Sequence, residues 1–398
     1  SLATLLLVGN MPLSILPQKL FAGIDSFPIL AIPFFILAGG IMTAGGINKR
    51  ILAVSNAIIG WVDGSLAIVT VVASMLFAAI SGSAVATVAA IGGITIPAMK
   101  SEGYDGGFAA AVSASAAVCG PIIPPSIPLI VYGAALGMSI SDLFIGSLIP
   151  GILLGVCMGL VAYTVSRKRR FPKHDRMPLR ETLQVIVDGI WALLMPVVVL
   201  GGIFLGICTP TEASVIAVAY GLLVGTFIYK EITLPKLWKI IIDAALSSAV
   251  IMFVLGTSKI TSVLVVANHV SEAMASLILS VTSSKFGIML LINLFLLLAG
   301  CLMEANAAVV ILTPILVPIV AKVGVTPLEF GVIMVYNLCL GLLTPPVGAT
   351  ILMANDIAHE DFGRTLKETI PFFIIGIMVL ILLMVFPQLI TFLPQRLK

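Results

Sequence analysis

The stretch Gly120-Pro121-Ile122-Ile123-Pro124-Pro125-Ser126 has a second version, Gly341-Leu342-Leu343-Thr344-Pro345-Pro346-Val347-Gly348, and each lies inside an apolar segment that would otherwise form one membrane helix. Two adjacent prolines remove two backbone donors and clash with carbonyls one turn back, so a regular helix cannot run through either stretch. In hydrocarbon the freed carbonyls need partners. Such backbone is tolerated at membrane depth only where it is buried in protein or lines a wet cavity, and transporters use it to hold substrate or ions.

The duplication is wider than the motif. Adding 221 to Pro97, Gly120, Pro124, Pro125 and Pro150 lands on Pro318, Gly341, Pro345, Pro346 and Pro371. The same shift sets Ser81-Gly82-Ser83-Ala84-Val85-Ala86 beside Leu302-Met303-Glu304-Ala305-Asn306-Ala307, a second pair of small, polar breaks in apolar sequence. Two halves with two broken elements each point to a repeat-built secondary transporter.

Only 10% of the residues are charged and the mean hydropathy is +1.21, against roughly 25% charged in soluble domains. Apolar runs beyond 18 residues recur, and alternating ten-residue strands are missing, which excludes an outer-membrane barrel. Cys119, Cys157, Cys208, Cys301 and Cys339 lack any CxxC spacing and read as small core residues, with no disulfide framework or metal cluster. His174, His269 and His359 read as ordinary surface residues. Nucleic-acid motifs are absent. Leu2 to Val8 is too short to span a bilayer, and a helix preceding Ser1 is expected.

The expected fold is an all-α polytopic membrane protein of two inverted repeats, each with a re-entrant helical hairpin and a broken, unwound transmembrane helix. The first repeat covers 1–166, with its hairpin at about 64–99, tip at Ser81-Gly82-Ser83, and its broken helix at about 106–140. It opens with a crossing over 28–44 and an interfacial helix over 51–61, and ends on a helix over 145–166. Residues 167–188 begin with a run dense in Lys and Arg and are assigned to the cytoplasm. The second repeat covers 189–398, with its hairpin at about 286–321, tip at Glu304 to Asn306, and its broken helix at about 328–357. Further crossings are expected at 189–208 and 213–229, turned by a periplasmic Thr209-Pro210-Thr211-Glu212, at 240–280 with interruptions at Gly256 to Lys259 and Asn268-His269, and at 369–393. Five crossings separate equivalent points of the repeats, and an odd number inverts the second copy. Hairpin one then enters from the cytoplasm and hairpin two from the periplasm.

An unwound segment beside a hairpin tip offers carbonyls and hydroxyls at short range, which suits sodium without an unpaired carboxylate. Candidate sodium ligands are Ser81, Gly82, Ser83, Gly120 and Ser126 in the first half, and Gly300, Glu304, Asn306, Gly341 and Thr344 in the second. The glycines count as places where carbonyls are exposed. Their plainer role is close helix packing, as for small residues throughout membrane proteins. Ser83, Thr87 and Asn306 at the tips, and Lys259 as the only basic residue in Phe253 to Val266, are candidate substrate contacts. Glu304 marks either a functional position or a tip in a wet vestibule, and Lys259 either meets a substrate carboxylate or snorkels to an interface.

Ser26-Phe27-Pro28 through Gly46, Ile80 to Gly92 (ISGSAVATVAAIG), Ile123-Pro124-Pro125-Ser126, Thr209 to Ala213 and Gly341 to Gly348 together resemble the large membrane subunit of TRAP transporters, the tripartite ATP-independent periplasmic family. The resemblance covers nearly the whole chain. It implies sodium-coupled uptake of an organic acid such as a C4-dicarboxylate, sugar acid or sialic acid. It also implies an elevator-type moving domain containing both hairpins, a small membrane subunit, a periplasmic substrate-binding protein, and a place in the bacterial inner membrane. Some members carry an acidic residue where this chain has Thr87, so an ionisable role does not transfer to it, and no family role attaches to Lys259. A single-subunit sodium/carboxylate symporter is the alternative carrier. A passive channel fits two dead-end hairpins poorly, and an enzyme lacks a carboxylate pair, a Ser/His arrangement or a metal-ligand cluster in the spans.

Overall fold

The computed structural model describes residues 12–173, 175–282 and 284–397; Leu2 to Val8 and His174 lie outside them. Among the described residues all regular structure is helical, and eight helices are long and apolar enough to cross a membrane. All the α-helices are numbered in chain order: α1 (Ile15–Ile24), α2 (Ala31–Ala44), α3 (Ile47–Ile59), α4 (Ser65–Ser81), α5 (Ala84–Ser101), α6 (Gly106–Ala117), α7 (Ile127–Leu136), α8 (Ile140–Arg169) and α9 (Leu179–Phe204). Then follow α10 (Pro210–Ile228), α11 (Leu234–Ala267), α12 (Val270–Val281), α13 (Lys285–Leu302), α14 (Ala305–Ala321), α15 (Pro327–Gly341), α16 (Ala349–Ala358), α17 (Phe362–Val385) and α18 (Gln388–Arg396).

Helix starts follow side-chain chemistry. Thr209 caps α10 and Thr326 caps α15, each in a reciprocal capping box with the glutamate three residues on and with proline at the first helical position. Asp105, Ser126, Ser284 and Glu304 cap α6, α7, α13 and α14 with their side chains.

Several boundaries differ from the expected ones. Helix α9 begins at Leu179, so the basic connection is 170–178 and not 167–188, because residues 179–188 carry helix formers with no proline or glycine stop. Helix α11 runs unbroken through Gly256 to Lys259. No proline interrupts it there, and the Thr257 hydroxyl is absorbed by donating back to the Phe253 carbonyl, which bends a helix at most slightly and does not open it. The chain does turn at Asn268-His269, where His269 takes a left-handed φ of 52°. The last crossing starts at Phe362, capped by Asp361, and breaks at Phe386-Pro387 before α18. Helix α1 has no counterpart among the expected elements; it lies along α11, with Gly23 against Gly256.

Two packing groups can be traced, joined to each other where α11 packs on α14 and α3 on α4. Helix α10 packs on α2, α11 on α1 and α2, and α9 on α3 and α10. The second group is hairpin α4–α5, hairpin α13–α14, the broken pairs α6/α7 and α15/α16, and α8, α17 and α18. All of α6, built from Gly, Ala, Ser, Val and Phe, is buried, since small residues let neighbours approach from every side. Helices α9 and α11 instead present Val187, Val197, Val250 and Phe253 outward, as lipid-facing helices do.

Contacts within the second group are reciprocal between halves. Arm α4 packs on α6 as α13 packs on α15, and arm α5 packs on α16 as α14 packs on α7. The base of hairpin α4–α5 meets the basic connection: Tyr104 stacks on Phe171 at 4.3 Å, and its hydroxyl donates to the Pro172 carbonyl. The connection after α16 joins the same end, where Lys100 donates to the Ala358 carbonyl at 2.6 Å and Arg364 pairs with Asp105 and Glu360. The base of the other hairpin lies elsewhere. Tyr132 donates to the Pro327 carbonyl at 2.8 Å, and Leu328 lies against Gly146 near the start of α8. Gly146 and Arg169 are about 35 Å apart at 1.5 Å per residue, so the hairpins open toward opposite ends of α8.

At the basic end of the other group, Arg50 donates to Glu231 at 2.8 Å and stacks over Tyr229. That hydrogen bond holds the Glu231 carboxyl below its ordinary range. With the basic end cytoplasmic, a Pro172→Cys variant in intact cells should resist a membrane-impermeant thiol reagent while Thr209→Cys reacts. Strong labelling at position 172 would reverse the orientation.

Candidate functional site

Each break sits against the tip of the hairpin from its own half. In the first, α6 ends at Ala117 and α7 begins at Ile127, and the residues between are all buried. Gly82 turns the hairpin with a left-handed φ of 58°, and a Cβ there would lie 2.7 Å from the Pro125 carbonyl oxygen. A Cβ on Gly120 would lie 3.0 Å from the carbonyl carbon and oxygen of Ser83. Tip and break thus touch backbone to backbone, a contact that only glycine permits.

The tip is wired internally. Thr87 is buried, donates to the Ser83 carbonyl at 2.7 Å and lies 3.1 Å from the Ser81 hydroxyl. Its hydroxyl is therefore consumed inside the tip and does not face outward as a substrate contact. The Ser83 hydroxyl accepts from the Ala86 amide, and the Ser126 hydroxyl accepts from the Leu129 amide while donating to the Pro121 carbonyl. Among the described residues no hydrogen bond takes the carbonyls of Ile123, Pro124 or Pro125. These are acceptors without donors in a buried place.

The second break runs from Leu342 to Gly348 and is more open, with Pro345, Pro346 and Val347 exposed. Gly341 and Gly300 meet face to face: a Cβ on Gly341 would lie 2.5 Å from the Gly300 carbonyl carbon, and one on Gly300 would lie 2.7 Å from the Leu338 carbonyl oxygen. These two glycines serve close packing. The Gly341 carbonyl accepts from both the amide and the hydroxyl of Thr344, so it is not the free acceptor expected of it. Between Leu342 and Gly348, the carbonyls of Leu343, Thr344, Pro345, Pro346 and Val347 take no hydrogen bond among the described residues.

Glu304 is exposed at the second tip, caps α14 by accepting from the Ala307 amide, and takes a hydrogen bond from the Asn306 amide nitrogen at 2.6 Å. The Asn306 side-chain oxygen is buried and finds no donor among the described residues. Lys259 is not at the tips. It lines a small cavity between α1, α7, α11 and α14, beside Val310, Thr313 and Pro314, which are six to ten residues along α14 from Glu304.

One pair was missed from the sequence. Asn337 on α15 donates to both the carbonyl and the side-chain oxygen of Asn293 on α13 at 2.7 Å, tying the second hairpin to its broken helix one turn before Gly341. Two lone amides in apolar runs were the available signal, since such groups are costly in hydrocarbon unless paired. The donor set at each break is uncharged oxygen, joined by one carboxylate at the second, which is the chemistry a hard monovalent cation takes. Replacing Ser83 or Asn306 with alanine should leave the fold intact and lower uptake severalfold through weaker ion or substrate binding. Wild-type rates with an unchanged sodium dependence in both variants would make the tips purely structural.

Residues 1–389 match the family described as the tripartite ATP-independent periplasmic transporter, DctM component. The chain belongs to this DctM family. It is a TRAP large-permease chain for solute uptake, as the sequence resemblance implied. The isethionate TRAP transporter permease protein DctMQ of Oleidesulfovibrio alaskensis is 43% identical over 384 residues, which are 96% of this DctM chain and 60% of that one. The C4-dicarboxylate TRAP transporter large permease protein DctM of Pseudomonas aeruginosa is 37% identical over 391 residues, 98% of this chain and 90% of that one. Among solved structures, the Alcanivorax borkumensis YdaH transporter, described as having an unusual topology, matches with a TM-score of 0.65 at 13% identity, over 94% of this chain and 88% of that one. That likeness concerns the fold alone.

Proposed function

We propose that this DctM-family chain is the permease subunit of a sodium-coupled importer of a small organic anion in the bacterial inner membrane. Its partners are a small membrane subunit and a periplasmic binding protein that delivers the anion. The observation that carries this reading is the doubled pairing of hairpin tip with proline break, with donor-free carbonyls at both breaks and the open Asn306 oxygen at the second. Sodium is the coupling ion these oxygens suit. Glu304 adds one negative charge at the second break, and the first binds through dipoles alone.

The reciprocal contacts and the opposite hairpin bases support two inverted repeats, 1–166 and 189–398. The separation into a group holding both hairpins and a group of α1–α3 and α9–α11 supports an elevator, with the first group moving. The relatives named for isethionate and for C4-dicarboxylates widen the substrate class from carboxylates to sulfonates.

Reconstitution with the two partners into liposomes tests the proposal. Accumulation of the anion should require an inward sodium gradient and the binding protein. Accumulation without the binding protein would favour the single-subunit symporter, and equilibration without accumulation would favour a channel.

A further inference from the structure

Lys259 is the basic residue that neither the breaks nor the tips explain. It lies about 37 Å along α11 from Leu234 at 1.5 Å per residue, so it is far from the basic end where Glu231 meets Arg50. Its neighbours belong to both packing groups: Gly23 and Ser26 by α1, Ser262 on α11, Ala134 on α7, and Thr313 on α14. No acidic side chain lines this cavity, and Lys259 has no hydrogen-bond or ion-pair partner among the described residues. Lys259 is half-buried, its stem in a seam where a Cβ on Gly23 would lie 2.9 Å from its own Cβ.

A cation in such surroundings is costly unless some state supplies a counter-charge. Nothing in the closed seam does. The cavity is about 80 Å³, well short of the roughly 300 Å³ at which ligand pockets begin. An organic acid enters only if α14 parts from α11. Once it does, the ammonium faces the opening, with the Ser26 and Ser262 hydroxyls nearby.

Building on the transport reading, we propose that Lys259 is the entry-side contact for the anionic group of the transported acid, a carboxylate or sulfonate, engaged when the α11–α14 seam opens and vacated when it closes. The residue thereby selects for anions before the substrate reaches the hairpin tips. Glu304 is the competing partner. It sits six residues before Val310, and a slide of α14 by about 9 Å would bring it level with Lys259.

The complete transporter in liposomes, with isethionate and succinate as probes, separates these outcomes. At saturating sodium, K259Q should raise KM about tenfold, the effect expected for loss of one charge-assisted hydrogen bond. K259R should stay within about threefold of wild type, and the sodium half-saturation should not move in either variant. An unchanged KM in K259Q overturns the inference. So does recovery of K259Q by adding E304Q, which would show that the lysine answers Glu304. Wild-type protein that accumulates neither probe under a sodium gradient counts against the transport reading instead. A readout without uptake remains: with the five native cysteines replaced, Lys259→Cys should react with an impermeant thiol reagent from the side opposite the basic connection. Either probe should slow that reaction, and absence of labelling overturns the inference.

Discussion

Replacing Gly341 with alanine should reduce uptake at least tenfold and lower the melting temperature of the purified protein by several degrees. The new Cβ would lie 2.5 Å from the Gly300 carbonyl carbon, 2.6 Å from its Cα and 2.9 Å from the Cys301 nitrogen. All three are backbone atoms, so no rotamer change relieves the contact. Helix α13 would have to leave α15, and the Asn293–Asn337 hydrogen bonds that join them would stretch. Overpacking of this kind costs about 1–3 kcal/mol, a large share of the 5–15 kcal/mol that typically separates folded from unfolded. Gly300→Ala should behave alike, since its Cβ would meet the Leu338 backbone. Gly201→Ala on α9 is the control: nothing lies within 4 Å of its Cβ, so uptake and melting should stay at wild type. Normal uptake by Gly341→Ala would show that the tip and the break need not touch.

The second large effect concerns the prolines. Pro345→Ala with Pro346→Ala restores two backbone donors and favours helix by roughly 3 kcal/mol per position, more than one weak ion contact supplies. A helix running from α15 into α16 would consume the carbonyls of Leu343, Thr344 and Pro345. We expect a folded protein whose half-saturation for sodium rises about tenfold and whose uptake is poor. The exposure of Pro345 to Val347 leaves room for the change. Pro124→Ala with Pro125→Ala should impair transport too, with a larger loss of stability, because the first break is buried throughout and cannot re-form a helix without displacing its neighbours. Sodium titrations of uptake beside thermal melts check both. A lowered melt with an unmoved sodium curve would leave the prolines with a packing role only.

Legibility in the sequence followed the range of the forces involved. Both breaks, both hairpins and most crossings could be read locally, because prolines, glycines and capping side chains act on backbone within a turn of themselves. Thr209 with Glu212 and Thr326 with Glu329 are cases where the start of a helix is set by four residues. Weak local signals mislead where tertiary neighbours outweigh them. Gly256 to Lys259 looked like a break, yet a glycine and two hydroxyl residues do not open a helix that neighbours hold on several sides. The start of α9 at Leu179 was hidden by the charge density of the preceding segment.

The site divides in the same way. By itself the sequence determined that backbone would be unwound twice at membrane depth, with hydroxyls, an amide and a carboxylate nearby, since proline chemistry and hydropathy need no partner to act. Only the tertiary structure decided which oxygens stay without donors. The Gly341 carbonyl is taken by Thr344, the Thr87 hydroxyl is taken by Ser83, and the Asn306 oxygen is left over. Only it decided that Lys259 lies in a seam between the two packing groups, away from the tips. The Lys259 seam is built from residues as far apart as Ser26 and Thr313, and the short-range hydrogen bonds at the tips and breaks depend on backbone shapes that packing between distant helices fixes.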